Sequence, residues 1–171
     1  DSSLRTALFA AHVEEITSGA FNVMPLPAII ALLKNGDPAP PGTIAITFEG
    51  AHRSAYENAM PLLLEKNIPF TVFFSSGQAD SQTEQTMNWA ELRKLAANQN
   101  VTLGMLPDSY THLIESPRAD ILAQINTARV KFRNELGTEP KFFSYPFGEV
   151  SLEFKNLVKE QGFEAGFGLQ S

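Results

Sequence analysis

Cysteine is missing from this 171-residue chain, which excludes disulfide staples, thiolate nucleophiles and sulfur-ligated metal sites. Imidazole is scarce as well. His12, His52 and His112 are the whole supply, so a metal site built mainly from histidine would need nearly all of them. No apolar run is long enough to span a bilayer, and the amino end carries no signal-peptide pattern. Basic residues are outnumbered, 13 against 19 acidic, for a formal charge of −6. That balance gives no electrostatic reason to expect nucleic acid or an anionic membrane as partner. Internal repeats and low-complexity tracts are absent. What remains is 43% apolar residues in a length that fits one domain, 1–171, with a sizeable core.

Apolar periodicity and punctuation divide the chain into alternating strands and helices. A helix is expected over Ser3–Ser18, on Leu4, Leu8, Ala11 and Ile16, with Gly19 as its stop. A short strand, Phe21–Met24, and a helix from Pro27 to Leu33 complete a lead-in over 1–39. The β-branched run Thr43–Thr47 reads as a buried strand that ends at Glu49, and Ser54-x-x-Glu57 reads as a capping box opening a helix to Lys66. Pro61 should kink that helix. Pro69–Phe74 is the next buried strand and Gly77–Thr86 a surface loop. Asn88 and Glu91 form a second capping box, and Trp89, Leu92 and Leu95 make the buried stripe behind it. Val101–Leu103, Lys141–Tyr145 and Phe163–Phe167 are further strands. Between them lie a long helix after Pro117, closed by Gly137, and a shorter one over Ser151–Gln161. Strand and helix in regular succession argue for parallel strands in a layered α/β sheet or barrel.

In such folds ligands bind at the carboxyl ends of the strands. Three ends carry candidate groups: Phe48-Glu49-Gly50, the loop from Gly104 to His112, and Ser144-Tyr145-Pro146-Phe147-Gly148. A lone Glu49 would count for little without the other two.

Together these segments resemble the polysaccharide deacetylase family, or NodB homology domain, over residues 40–171. The resemblance is carried by Ile46-Thr47-Phe48-Glu49-Gly50, Tyr56-x-x-Ala59-x-Pro61-Leu62-Leu63, Ile68–Phe74, Leu103-Gly104 and Tyr145-Pro146-Phe147-Gly148. The lead-in Phe21–Leu26 is similar to the branch containing the periplasmic poly-N-acetylglucosamine deacetylases. The resemblance implies a distorted parallel (β/α) barrel, an extracytoplasmic setting and an N-acetylated glycan, or an envelope protein, as partner. It also implies that further family motifs would lie beyond Ser171, leaving the barrel incomplete at its carboxyl end and by one strand at its amino end.

The family holds a divalent metal, typically zinc, with one aspartate and two histidines, next to an aspartate that acts as general base. By resemblance Glu49 takes the base position, whereas the three ligand positions fall on Gly50, Leu106 and Tyr110. Ser144 replaces the arginine that pairs with the base, and the Phe147 N–H keeps the place of an oxyanion donor. The resemblance therefore implies a family member without its metal cofactor, and glycan binding in place of deacetylation. Two alternatives stay open. His52, Asp108 and His112 could form a relocated zinc site in an active deacetylase. Against that, the same residues read as a solvated pre-helix histidine, an Asx-turn former after Pro107 and a partly buried loop histidine. Alternatively, Leu106 and Tyr110 fill the old pocket of a scaffolding module. Tyr110, Tyr145, Trp89 and Phe147 could provide aromatic platforms for sugar rings. Trp89 reads better as core, Tyr110 and Tyr145 read equally either way, and Pro146 joins these two tyrosines as a candidate substrate-binding residue.

Overall fold

The computed structural model describes residues 13–168. Of the first expected helix, Leu4, Leu8 and Ala11 lie outside these residues, as does His12. The described part runs from Val13 into a π-helical turn, Ile16–Ala20, where Gly19 takes φ +98°. A two-stranded parallel sheet joins β1 (Asn22–Val23) to β2 (Thr43–Ile44), with helix α1 (Leu26–Asn35) between them. Gly36 closes α1 in the left-handed conformation, φ +72°, that its lack of a side chain permits.

The main sheet has five parallel strands in sequential order: β3 (Thr47–Glu49), β4 (Phe70–Phe74), β5 (Val101–Met105), β6 (Phe142–Ser144) and β7 (Ala165–Phe167). Short helices α2 (Met60–Glu65), α3 (Ser76–Asp80) and α4 (Trp89–Ala96), the long α5 (Arg118–Leu136) and α6 (Leu152–Glu160) cross between them. This is a curled parallel half-barrel, the part of a (β/α) barrel that the strand order predicts.

Side chains alternate across the strands and so divide the apolar residues into two clusters. Phe70, Val72, Phe74, Met105, Phe143 and Tyr145 face the helices and join Leu92, Ile121, Ile125, Phe132 and Phe154 in the main core. The other face is the concave interior of the half-barrel, where Leu26, Phe73, Leu106 and Phe142 form a smaller cluster. Phe73 lies across the strand pair from Gly104, and a Cβ on Gly104 would come within 2.4 Å of its ring. Only glycine fits there.

Several expectations need correcting. The run Thr43–Glu49 is two strands, because the chain changes partner midway. Ile44 O accepts from Met24 N at 2.9 Å, whereas Ile46 O accepts from Thr71 N at 2.9 Å. As an edge segment it is only half buried. Ser54 makes no cap hydrogen bond and is already helical at φ −59°, so the helix begins at Arg53, and Glu57 approaches Arg53 at 3.9 Å instead. Pro61 cannot donate to the preceding turn, and the helix accommodates it with a π-helical turn, Ala55–Ala59, just ahead. The expected surface loop Gly77–Thr86 begins inside α3, and β5 runs through Gly104 to Met105. The Asn88–Glu91 capping box forms as expected, with both reciprocal bonds at 2.9 and 3.1 Å.

Candidate functional site

Glu49 ends β3 on the concave face, level with Phe73 of β4. Two hydroxyls reach it from the other two strand ends. Tyr110 Oη donates to Glu49 Oε2 at 2.8 Å, and Ser144 Oγ donates to Oε1 at 3.1 Å. The three segments that the sequence singled out therefore meet at one carboxylate. Burial, and then the adjoining Glu49 carboxylate, push the Tyr110 hydroxyl well above its usual pKa, so it stays neutral and donates. Glu49 forms no ion pair among the described residues.

The loops that carry these groups are tied down. After β5, Asp108 accepts from Ser76 Oγ at 2.7 Å and Lys131 Nζ at 2.8 Å, while Ser109 N donates to Gln124 Oε1 at 2.8 Å. Lys131 also bridges to Asp80 at 2.6 Å, and these two carboxylates raise its pKa. After β3, Gly50 N donates to Phe73 O at 2.7 Å and Met87 N to Ala51 O at 2.7 Å. Arg53 then grips Glu91 through both of its terminal nitrogens, at 2.8 and 2.7 Å. The hydrogen bond and charge of Arg53 hold Glu91 below the usual carboxylate range.

Beside Glu49 is a cavity of about 320 Å³, walled by Phe73, Phe147 and Phe167 and floored by Thr47, Glu49 and Ser144. Phe147 adopts the left-handed conformation, φ +58°, unusual for a residue with a side chain. Its ring is stacked between Tyr110, with centroids 4.5 Å apart, and His112, at 4.1 Å.

The remaining expected residues divide by strand face. Tyr145 is one residue out of phase with Ser144. Its ring is buried on the helix side against Phe143 and Phe154, where burial raises its pKa. Pro146 is buried too. Leu106 is fully buried at 0% exposure in the concave cluster, with Tyr110 packed against it. Gly50 has φ +97°, and a Cβ there would come within 2.7 Å of His52 Nε2. His52, Asp108 and His112 do not converge: among the described residues no group of three or more His, Cys, Asp or Glu side chains could hold a metal ion. Asp108 is bound to Ser76 and Lys131, and His112 is exposed, not partly buried, with Nδ1 2.6 Å from Glu149. Sequence reasoning missed the Phe147–His112 stack and the bond from Ser144 to Glu49. Period-two alternation from Phe143 would have placed Ser144 on the site face and Tyr145 off it.

A family model described as Polysaccharide deacetylase matches residues 36–166. Over 180 aligned residues the chain is 21% identical to a poly-beta-1,6-N-acetyl-D-glucosamine N-deacetylase of Staphylococcus aureus, covering 98% of this chain and 61% of that protein. The chain thus spans about 61% of the length of the curated relatives it matches. The structure of IcaB from Ammonifex degensii superposes with a TM-score of 0.85 at 18% identity, over 92% of this chain and 73% of that one. The deacetylase domain of BpsB from Bordetella bronchiseptica gives 0.83 at 20% identity, over 94% and 76%. At such identities the structural likeness is one of fold. No helix among the described residues is long and apolar enough to cross a membrane.

Proposed function

This chain belongs to the polysaccharide deacetylase family, and we propose that it is a member in which the metal site has given way to a hydrogen-bonded carboxylate. In this reading it binds a poly-N-acetylglucosamine-type glycan, or a protein of the same envelope machinery, outside the cytoplasm and without zinc-dependent deacetylation. One observation carries the reading: the Tyr110 hydroxyl, at a family ligand position, donates to Glu49 at 2.8 Å. A tyrosine that is kept neutral by its surroundings is a poor cation ligand.

The other two ligand positions fit a divalent cation no better. Gly50 offers no side-chain donor atom, and Leu106 offers carbon inside an apolar cluster. Ser144 gives Glu49 the hydrogen bond expected of an arginine, but without its charge. Glu49 without a metal would have to deprotonate ordinary water, a much weaker arrangement than water bound to zinc. The cavity of about 320 Å³ beside it favours a binding role over a filled scaffold, since it is at the small end of ligand sites.

The test is acetate release from β-1,6-linked N-acetylglucosamine oligomers, with and without added zinc, alongside calorimetric zinc titration. The expected result is no acetate above the no-protein control and no micromolar zinc uptake. Zinc uptake that is lost in His112→Ala, together with turnover, would establish the relocated-ligand enzyme instead.

A further inference from the structure

We propose that the cavity beside Glu49 selects the free-amine form of the sugar, binding the ammonium group of a de-N-acetylated glucosamine unit. Its volume of about 320 Å³ suits one sugar unit rather than an oligomer. Its floor presents a carboxylate with no cationic partner among the described residues. A carboxylate offers about four lone-pair directions. Tyr110 and Ser144 fill one on each oxygen and hold the group still, which leaves acceptor capacity on both oxygens.

The two hydroxyls decide between the forms of the sugar. Both already donate to Glu49, so an acetyl carbonyl entering the cavity beside Ser144 finds its proton taken and meets carboxylate oxygens instead, while Tyr110 holds the carboxylate from outside the cavity lining. An ammonium group brings three donors and a positive charge to the same oxygens. Phe73, Phe147 and Phe167 wall the space, and aromatic walls attract a cation and pack against a pyranose ring. The chain's net charge of −6 adds a long-range attraction for a polyamine glycan. A partly deacetylated polymer contains both kinds of unit, and this pocket would read the deacetylated ones.

The assignment rests on the proposed function, in which no divalent cation is held next to Glu49. The experiment is calorimetric titration of the whole chain with β-1,6-linked glucosamine oligomers and with the same oligomers after chemical re-acetylation. Glu49→Gln is titrated in parallel, and a lysine-rich peptide of equal charge is the third arm. The amine oligomer should bind about tenfold more tightly than its re-acetylated form, the preference should shrink in high salt, and Glu49→Gln should abolish it. Equal or tighter binding of the acetylated oligomer overturns the proposal. So does a preference that survives Glu49→Gln, or a peptide that binds as well as the sugar. Re-acetylation changes only the ligand, so the comparison stands even if the variant folds poorly. Zinc titration of the same sample separates the two readings. Zinc uptake with turnover defeats the metal-free premise, and a lack of amine preference in a zinc-free protein defeats this assignment alone.

Discussion

Replacing Leu106 with histidine puts an imidazole where the proposed function sets a lost ligand, and the surroundings of that side chain set the cost. Leu106 is fully buried among Leu26, Phe73 and Phe142. The substitution removes buried hydrocarbon and puts a ring with hydrogen-bonding nitrogens into apolar surroundings. Together these should cost about 3–5 kcal/mol, a large share of the roughly 5–15 kcal/mol that stabilises a domain. For a chain of this length the melting temperature should fall by about 10 °C or more. Urea denaturation followed by circular dichroism, with and without saturating zinc, measures it. The denaturation midpoint should drop with its slope unchanged, and zinc should not restore it. If the second and third ligand positions were still poised around a cation, zinc at a hundred times its dissociation constant would return about 2.7 kcal/mol. A loss under about 1 kcal/mol that zinc reverses would refute the argument.

Tyr110→Phe should destabilise the fold by about 1 kcal/mol, and a double-mutant cycle with Glu49→Gln in urea should give a coupling energy of similar size. Zero coupling would mean that the bond is not formed in solution. Gly104→Ala should cost about 2 kcal/mol or more by thermal melting, because its Cβ would lie 2.4 Å from the Phe73 ring of the paired strand. Glu91 has a folded pKa below its ordinary 4.5, so the unfolded chain takes up that proton first. The stability it contributes is present above about pH 4.5 and is lost as pH falls through the lowered folded value. Glu91→Gln should therefore flatten the acid limb of a stability–pH profile, and an unchanged limb would exclude this pair as a source.

Much of the fold could be read from local signals that do not compete with one another. The buried run Phe70–Phe74 becomes β4, the Asn88–Glu91 box starts α4, and the apolar face of Ile121, Ile125, Ala128 and Phe132 seats α5. Failures came where a local pattern fitted two geometries. Ser54 and Glu57 have the spacing of a capping box, but Arg53 reaches Glu91 from the turn before, and that tertiary contact starts the helix earlier. The split of Thr43–Glu49 depends on which strands pair with it, and no window of seven residues contains that information.

The site shows the same division between identity and phase. The residue types at positions 49, 50, 106 and 110 were visible in the sequence. Which strand-end residues share a surface depends on parity along each strand. Parity puts Ser144 beside Glu49, and it puts Tyr145 in the opposite core. The stack of Tyr110, Phe147 and His112 needs more still, because it joins two loops through a residue in a left-handed conformation. Backbone strain of that kind, of order 1–3 kcal/mol, persists only where the surroundings enforce it. Here the turn is closed by Gly148 N donating to Tyr145 O at 2.9 Å and Glu149 N to Pro146 O at 3.2 Å, and the ring is set by its two neighbours, with His112 in turn held 2.6 Å from Glu149. Truncating His112 to alanine should therefore loosen Phe147 and widen the cavity mouth without touching Glu49, weakening the proposed glycan binding while leaving the melting temperature nearly unchanged. If binding survives His112→Ala intact, the stack is packing alone and the recognition surface lies wholly within the concave face.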